Sequence, residues 1–483
     1  MGEENRMIGV QRMLALALSL LLVVGLILPA QAKLEETQSA DFDGYLVGLS
    51  EPVGAQLFSG RAEEELRWVT EAVCWVPTRA AARELERQGL AEYVEPNYVA
   101  TLFQDTEPDA SVGITWNNEL IAAEVAADYG LDGDGIRIGI IDSGVDAENP
   151  DLSQAKIGVG YDYLEETEEM CDTVYHGTMI AQTIAGDRNT LGQTGVAPGA
   201  EIIPLRCFSQ YDGGTVEILS KAIRDAVDVY DCDIISMSWG FNLPSETLYA
   251  AVRHAWESGA LLVAAAGNVN EANGFPQGTL AYPACYEEVL SVSSVNAEKT
   301  VAQRTQINEH VFVSAPGENL TGVWANGRTT LISGTSFSTP QVAAALAILL
   351  QLAPELDAEA VFDLLKTRSM DVMTQGYDPE TGYGLLRFDN LLNVPWSGMH
   401  QEEQPNAARF FGWYPALSDS QVILTGYQAN EKMVRTTVLP GTSGLNTFDA
   451  VFDTTMVDLV RIFYLGQDCT PLDAPDKHPL PEQ

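Results

Sequence analysis

The chain is poor in basic residues for its size. It has 26 Lys and Arg against 68 Asp and Glu among 483 residues, which gives a formal net charge of −42. Nucleic acids and anionic membrane surfaces are bound by basic surfaces, so this balance argues against either as a partner. The acidity fits a soluble exported protein, and it also suits calcium sites or simple solubility.

Cysteines are few, and their spacing matches neither a disulfide scaffold nor a zinc site. If Cys74 is removed with the N-terminal segment described below, five remain, so at least one thiol is free unless it pairs between chains. We expect Cys171 to be a buried structural thiol, although it lies only a few residues before a candidate catalytic histidine. The six are Cys74, Cys171, Cys207, Cys232, Cys285 and Cys469.

The one long apolar run lies at the N-terminus. Arg6 and Arg12 precede the apolar stretch 13–28, and residues 30–32, Ala-Gln-Ala, offer a small-x-small cleavage site. This pattern predicts a signal peptide over residues 1–32 and secretion. The alternative is an uncleaved membrane anchor, but the stretch is somewhat short to span ~30 Å of hydrocarbon. We find no later run of sufficient length and predict no stable membrane span.

From Trp116 onward, strand-like and helix-like segments alternate. Such alternation predicts an α/β fold in which helices cover both faces of a parallel sheet. We assign residues 113–395 to this domain. Strands are predicted near 136–142, 200–205, 233–238, 260–266 and 289–295, and helices near 215–229, 245–259 and 336–353.

Polar residues stand at points of this pattern where a reaction centre can be built. Asp142 and Asn268 end apolar, strand-like runs, and sites in open α/β sheets form at the carboxyl ends of strands. His176 opens a predicted helix, and an imidazole that titrates near neutrality suits proton transfer. The side-chain amide of Asn268 can donate to an oxygen that becomes negative in a tetrahedral intermediate.

Ser336 follows a glycine turn between a strand-like segment and a helical run. We expect its side chain to be exposed at a helix N-terminus, facing free backbone N–H groups. A serine hydroxyl ionises too weakly to attack an amide alone, so it needs a base and a group that orients the base. His176 and Asp142 are the candidates, and the backbone N–H of Ser336 is a second candidate oxyanion donor beside Asn268.

Taken in order, these segments resemble the subtilisin-type serine proteases, or subtilases, over about residues 116–389. The resemblance implies a subtilisin-like parallel sheet, an Asp142-His176-Ser336 triad with Asn268 in the oxyanion hole, and no cofactor for catalysis. It depends on 141–145 (Ile-Asp-Ser-Gly-Val), 176–178 (His-Gly-Thr), 265–268 (Ala-Ala-Gly-Asn) and 334–336 (Gly-Thr-Ser), with support from 195–198, 315–317 and 382–384.

The resemblance also implies a precursor. Residues 33–106 are similar to the small α+β inhibitor-like propeptides of subtilases, whose tail lies in the active-site cleft, and we expect the acidic segment 104–109 to be an exposed linker suited to self-cleavage. The alternative is an accessory domain that is retained. Residues 396–483 have strand-like segments between turn residues and predict a small β-rich region, in which the Pro-rich end 471–483 is expected to be disordered.

By the same resemblance, extended peptides add as a β-strand beside a primary specificity pocket. No acidic residue lies in the pocket segments, so we predict an apolar P1 residue, which is the residue before the cleaved bond. The glycines have an alternative explanation in ordinary turn chemistry. The predicted residues are Gly213, Gly214, Ser238, Trp239, Gly240, Ala265, Ala266, Gly267 and Ala281.

A loop after His176 has the length of the calcium loop of bacterial subtilisins, so the resemblance implies a structural calcium ion. Oxygen ligands of the kind that a hard cation prefers are available there. A loop that needs no metal is the alternative, because only two side-chain ligands match. The candidates are Asp151 and Asn189 and the carbonyls of Asp187, Leu191 and Gln193.

The sequence therefore predicts a secreted, monomeric serine endopeptidase made as a self-processing zymogen. It would cut proteins or peptides and be inhibited by its own propeptide. Two alternatives stay open: a dedicated processing protease with few targets, and a catalytically silent protein that binds peptides without cutting them.

Overall fold

The computed structural model describes part of the chain, and residues 43–483 form one compact unit. The predicted signal peptide lies outside the described residues, as does Cys469. The described ranges are 42–50, 67–103, 105–108, 116–189, 191–210, 213–354, 356–392, 398–404, 407–416, 420–428, 433–441, 444–453, 457, 459–466 and 476–479.

The N-terminal region is a four-stranded sheet, in the order β2-β3-β1-β4, covered by one helix. Thr78 caps the helix through a bond from the amide of Ala81, and the helix buries Ala82 and Leu85 in a small apolar core with the sheet. The elements are β1 (Phe42–Leu49), β2 (Arg67–Thr70), β3 (Val73–Val76), α1 (Arg79–Arg87) and β4 (Ala91–Tyr98), followed by β5 (Thr101–Leu102) and β6 (Asp105–Pro108).

After the short helices α2 (Trp116–Ile121) and α3 (Glu124–Asp128), the chain builds an eight-stranded sheet whose pairings are all parallel. The strand order is β15-β14-β13-β11-β7-β10-β8, with β9 beside β10. The strands are β7 (Arg137–Asp142), β8 (Lys156–Ile157), β9 (Tyr161–Asp162), β10 (Glu201–Arg206), β11 (Ile234–Met237), β13 (Leu261–Ala265), β14 (Val289–Val295) and β15 (Val313–Pro316).

Helices cover both faces of this sheet. Alternate strand residues enter two separate apolar cores: Ile138 and Ile140 pack on one face, and Ile141 packs on the other. This confirms the predicted α/β fold and explains the continuous apolar runs, because both sides of each strand are buried. The helices are α4 (His176–Ala185) and α7 (Thr335–Leu352) on the first face, and α5 (Val216–Asp228) and α6 (Glu246–Glu257) on the second.

Among the described residues, α7 alone is long and apolar enough to cross a membrane, but 94% of it is buried inside the protein, as a core helix would be. Smaller elements complete this region. They are the strand pair β12 (Trp239–Gly240) with β5, the hairpin β16 (Leu320–Val323) and β17 (Thr329–Ser333), and the helices α8 (Ala358–Arg368) and α9 (Phe388–Leu392).

The C-terminal region consists of antiparallel strands in two sheets, ordered β18-β19-β22 and β21-β20-β23-β24. Within the end predicted to be disordered, residues 471–483, the structure describes residues 476–479, which form β24 and pair antiparallel with β23. The strands are β18 (Gly398–Gln404), β19 (Ala407–Ala416), β20 (Ser420–Tyr427), β21 (Met433–Gly441), β22 (Gly444–Asp453), β23 (Leu459–Gly466) and β24 (Asp476–Pro479).

Candidate active site

Asp142 and His176 meet at the carboxyl edge of the central sheet. Asp142 is the last residue of β7, and His176 is the first residue of α4. His176 Nδ1 lies 2.7 Å from Asp142 Oδ1, and the amide of Ser143 donates to the same oxygen. A buried carboxylate at Nδ1 fixes the tautomer of the ring and leaves Nε2 for a proton. Nε2 is buried without a hydrogen-bond partner.

A second buried aspartate, Asp172, holds the turn that presents His176. Its carboxylate accepts from the amides of Val174, Tyr175 and Thr178 at 2.7–3.0 Å and from the Thr178 hydroxyl at 2.6 Å. Burial raises the pKa of the Asp172 carboxyl, while these hydrogen bonds oppose the rise. The sequence analysis missed Asp172, although an aspartate just before a helix start is a capping signal.

Ser336 is the second residue of α7 and is fully buried, so the predicted exposure was wrong. Its hydroxyl donates to the main-chain carbonyl of Ser238 at 3.0 Å and to that of Phe103, which covers it. In return, the Ser238 hydroxyl donates to the Ser336 carbonyl at 2.8 Å. In the described part of the chain, none of the Ser336 hydrogen bonds goes to His176.

Asn268 lies beside the start of α7. The amide and the hydroxyl of Thr335 both donate to Asn268 Oδ1 at 3.1 Å. The Thr335 hydroxyl in turn accepts from the amide of Gly267 at 3.3 Å. Because these bonds occupy the oxygen of the side-chain amide, they orient its nitrogen, Nδ2, as the group available to donate to another oxygen.

Residues 100–102, which precede Phe103, lie extended between two segments of the larger domain. Strand β5 pairs antiparallel with β12, and the Ala100 amide donates to the Gly214 carbonyl at 2.8 Å on the opposite side. Further along the chain, β6 pairs antiparallel with β17. Residues 105–108 of the predicted linker therefore form a paired strand.

The Phe103 ring fills an apolar pocket with Ala265, Ala281 and Phe275. The Phe275 ring stands edge-on to it, 5.1 Å away between centroids. A Cβ atom at Gly240 would come within 2.8 Å of the Phe103 ring, so this position has no room for a side chain. Gly267 also borders the ring: a Cβ atom at Gly267 would lie 3.6 Å from Phe103 Cζ.

The other predicted pocket residues have different surroundings. Gly214, Ser238 and the backbone of Trp239 lie along the extended chain, and Gly213 is so close to Val99 that a Cβ there would come within 2.5 Å. The Trp239 ring is buried in the core and donates to the carbonyl of Ile141 at 2.9 Å. Ala266 pairs with Val292 at the end of the sheet. The sequence analysis missed Phe103 and Phe275, whose roles depend on pairings between distant segments.

The predicted calcium ligands gather in part. Asp151 is buried, and its Oδ1 accepts from Asn189 Nδ2 at 2.9 Å, while Oδ2 has no hydrogen-bond partner. Burial raises the pKa of this carboxyl to about 6. The orphan carboxylate oxygen is of the kind that a hard cation prefers, and a bound cation would stabilise the charged form. The Asn189 amide presents its nitrogen to Asp151, and its oxygen accepts from the amide of Leu191 at 2.6 Å. No cluster of three or more His, Cys, Asp or Glu side chains accompanies it among the described residues, so carbonyl oxygens would complete the set.

The Asp187 carboxylate turns away from this position and accepts from the amide of Gln154 at 2.9 Å. Only its main-chain carbonyl is left as a ligand, as predicted from the resemblance. The Gln193 side chain bonds to Thr183 at 2.8 Å, and Leu191 is partly exposed.

The five described cysteines are unpaired. Cys171 is exposed, so the expectation of a buried thiol was wrong. Its main-chain carbonyl, rather than its side chain, approaches Gly144, where a Cβ would come within 2.2 Å. The thiols of Cys74, Cys207, Cys232 and Cys285 are buried.

Residues 133–384 match Peptidase_S8, the subtilase family. The chain is 34% identical over 325 residues to the minor extracellular protease Epr of Bacillus subtilis (strain 168), which covers 66% of this chain and 49% of that protein. It is 31% identical over 271 residues to a thermophilic serine proteinase of Bacillus sp. (strain AK1). The matched region is 56% of this chain and 66% of that protein.

The chain thus spans about half the length of the first relative and about two thirds of the second. Against subtilisin DY of Bacillus licheniformis, the identity is 32% over 270 residues, which is 56% of this chain and 95% of that protein. The matched region contains the parallel sheet, the Asp142–His176 pair, Asn268 and Ser336, and the chain belongs to the subtilase family.

Proposed function

We propose that this protein is a serine endopeptidase whose precursor cleaves its own chain between Phe103 and Gln104. The observation that carries the proposal is the position of Phe103. Its carbonyl accepts from the Ser336 hydroxyl, its ring fills the apolar pocket, and the residues before it pair with β12 as a bound peptide would. The self-cleavage that the sequence suggested for the acidic segment 104–109 is thus proposed for the bond between residues 103 and 104.

In the proposed reaction, Ser336 attacks the scissile carbonyl as His176 Nε2 takes the hydroxyl proton. Asp142 holds the ring through Nδ1 and stabilises the imidazolium that forms. Asn268 Nδ2 and the backbone N–H of Ser336 donate to the oxyanion. The imidazolium then protonates the leaving amine, and water repeats the cycle on the acyl-enzyme. The contact that this scheme needs between Ser336 and His176 forms when the hydroxyl leaves the carbonyl of Ser238.

The proposal includes an inhibitory role for the N-terminal region, residues 33–103. Two of its side chains sit at helix N-termini of the larger domain. Glu95 accepts from the Ser245 hydroxyl and from the amides of Glu246 and Thr247 at 2.8–3.1 Å, at the start of α6. Asn97 Oδ1 accepts from the amide of Glu217 at 2.9 Å, in the first turn of α5. These contacts hold the region in place after the chain is cut.

The proposal has four further parts. They are export, activity on general protein substrates, a monomeric state and a calcium ion at Asp151. The N-terminal sequence pattern of residues 1–32 supports export, as does the description of one relative as extracellular. The bound calcium would stabilise the loop after α4 and take no part in the chemistry. Residues 396–483 are proposed to be a separate β-rich region outside the catalytic domain.

The test is to express the full precursor beside its Ser336→Ala variant and to read the N-termini of the products. The proposal expects the parent chain to yield a product that begins at Gln104 and to be labelled by a fluorophosphonate, and the variant to stay whole and unlabelled. A Phe103→Asp variant should process slowly, because the charged carboxylate would be buried in the apolar pocket. Unlabelled, full-length bands from both chains would favour a silent peptide-binding protein instead.

A further inference from the structure

Phe275 comes from an irregular loop, and in the described part of the chain it is the one large apolar side chain that is clustered with Phe103. We call residues 274–279 the Phe275 loop. A short 3-10 helix (Glu271–Asn273) and a left-handed Gly274, φ 78°, precede Phe275, and the amides and carbonyls of Asn270 and Phe275 pair with each other. Residues 276–278 are exposed, so Phe275 is a single buried anchor within a surface segment.

One buried side chain, Gln306, satisfies most of the inward-facing main chain of this loop. Its Nε2 donates to the carbonyls of Phe275 and Pro276 at 3.2 and 2.9 Å. Its Oε1 accepts from the amides of Gly278 and Thr279 at 2.8 and 3.2 Å. All four hydrogen-bonding positions of a primary amide are thus used, two as donor and two as acceptor.

Gln306 also connects the loop to the catalytic segment. Its main-chain amide donates to the carbonyl of Gly267 at 2.9 Å, next to Asn268. Gln306 is completely buried, and its Cγ would lie 3.2 Å from a Cβ at Gly267. Two further contacts hold the loop, from Asn242 Nδ2 to the Gly274 carbonyl at 3.1 Å and from Gln277 Nε2 to the Thr305 carbonyl at 3.4 Å.

We infer that Gln306 is a positioning residue that fixes the Phe275 wall and so sets how large a P1 side chain the pocket favours. The inference rests on the proposed protease function. Without its four bonds, the amide of Gly278 would lose its partner, while the carbonyls of Phe275 and Pro276 and the amide of Thr279 would keep only their bonds to Asn270 and between Pro276 and Thr279. The loop would lose its ties to the buried side chain and would move to reach water. The Phe275 ring would then leave the edge of the P1 ring. A small P1 residue does not reach that wall, so it would be bound as before.

The sharpest comparison is Gln306→Met, which keeps the length of the side chain and removes its hydrogen bonds. We would measure kcat and KM for peptides that differ only at P1, with Phe, Leu or Ala. Binding differences of one apolar group in a pocket are worth about tenfold or more, so kcat/KM for P1 Phe should fall by about tenfold, mostly through KM. The kcat/KM for the peptide with P1 Ala should change by less than about twofold.

Phe275→Ala removes the wall of the pocket directly. It should lose the preference for P1 Phe over P1 Ala to the same extent as Gln306→Met. Gln306→Glu keeps the two acceptor positions but sets a carboxylate oxygen against the two carbonyls, so its preference for P1 Phe should fall at least as far as that of Gln306→Met. Fluorophosphonate titration of active sites corrects every rate for misfolded protein, and Gln306→Glu supplies the measurement if Gln306→Met fails to fold.

One result would overturn this inference alone. The parent enzyme would process and label normally, and the preference for P1 Phe over P1 Ala would be unchanged in Gln306→Met and Gln306→Glu. If the parent chain neither processes nor labels, the proposed function fails, and this inference with it. A uniform loss on all three peptides after active-site titration would also overturn it, because it would indicate a general structural role.

Discussion

The main-chain carbonyl of Phe103 accepts a hydrogen bond from the hydroxyl of Ser336. The strands on either side of this contact are both paired: β5 with β12 before it, and β6 with β17 after it. Strands β5 and β6 therefore lie before and after this contact, and the carbonyl at the nucleophile belongs to the peptide bond that follows Phe103. This arrangement is the reason for placing self-cleavage after residue 103 rather than in the acidic segment that follows.

Loss of the proposed oxyanion donor should slow the chemical step. Asn268→Ala is expected to lower kcat by about 10² to 10³ with little change in KM, a magnitude taken from subtilisin rather than derived from this structure. The physical reason is that Asn268 Nδ2 would donate to the developing charge, and alanine cannot. Steady-state kinetics on a peptide with Phe at P1 checks it. Fluorophosphonate titration of the same samples gives the control, and an unchanged kcat per active site would contradict the assignment.

Removal of a docking carboxylate should release the N-terminal region sooner. Glu95→Ala deletes three hydrogen bonds at the start of α6, and the loss of such a cap typically costs about 1 kcal/mol. In the full precursor, the lag between chain cleavage and the appearance of peptidase activity should therefore shorten by about fivefold.

The matched control for that experiment is Glu92→Ala, because Glu92 is exposed on the same strand, β4. Gel analysis and a peptide assay on one time course separate cleavage from release. Equal lags in Glu95→Ala, Glu92→Ala and the parent chain would show that Glu95 does not hold the cleaved region.

Calcium should stabilise the fold through Asp151. In the uncleavable Ser336→Ala precursor at pH 8, calcium at about 100 times its Kd should add about 2.7 kcal/mol relative to excess EDTA and raise the Tm by a few degrees. Asp151→Asn should lose most of this rise, because the buried carboxylate would no longer neutralise the ion. Asp187→Asn is the control: its carboxylate bonds to Gln154 instead, so the rise should persist. Equal Tm shifts in all three chains would exclude the site.

Thiol labelling should separate Cys171 from the buried cysteines. Burial raises the pKa of Cys74 to about 11 and of Cys232 and Cys285 to about 12. Since the thiolate is the reactive form, a raised pKa lowers reactivity at a given pH. At pH 8, only about one in ten thousand thiols with a pKa of 12 is ionised.

In the native Ser336→Ala precursor, alkylation at pH 8 followed by peptide mapping should therefore find Cys171 modified first. The four buried thiols, those of Cys74, Cys207, Cys232 and Cys285, should react only after denaturation. Cys171→Ser serves as the control and should remove the rapidly modified peptide. Comparable native rates at Cys171 and Cys285 would contradict the burial described for Cys285.

The sequence predicted the central fold because both faces of its strands are buried. Segments such as β7 and β13 read as short, continuous apolar runs, and the polar residue that ends or follows each run is a candidate catalytic group. The proximity of Asp142 and His176 follows from one sheet edge and one helix start. Local pattern and parallel topology were sufficient for these positions.

The sequence did not predict features that depend on contacts between distant segments. Phe103 becomes a pocket-filling residue only because β5 pairs with β12, and no local pattern in 101–103 indicates that partner. Gln306 lies in a polar stretch, and its four bonds go to a loop about thirty residues earlier. The expected exposure of Ser336 failed for the same reason, because the residue that covers it comes from the N-terminal side of the chain.

Strand β5 is held by β12 through main-chain groups, and Phe103, the residue after β5, is inserted into an apolar pocket. Under the proposed function, an unfolded stretch that carries a suitable ring would take the same place, and a compact folded protein would resist attack until a loop or terminus detaches. Substrate choice would then depend less on a long recognition motif than on how easily a segment of the target protein unfolds locally.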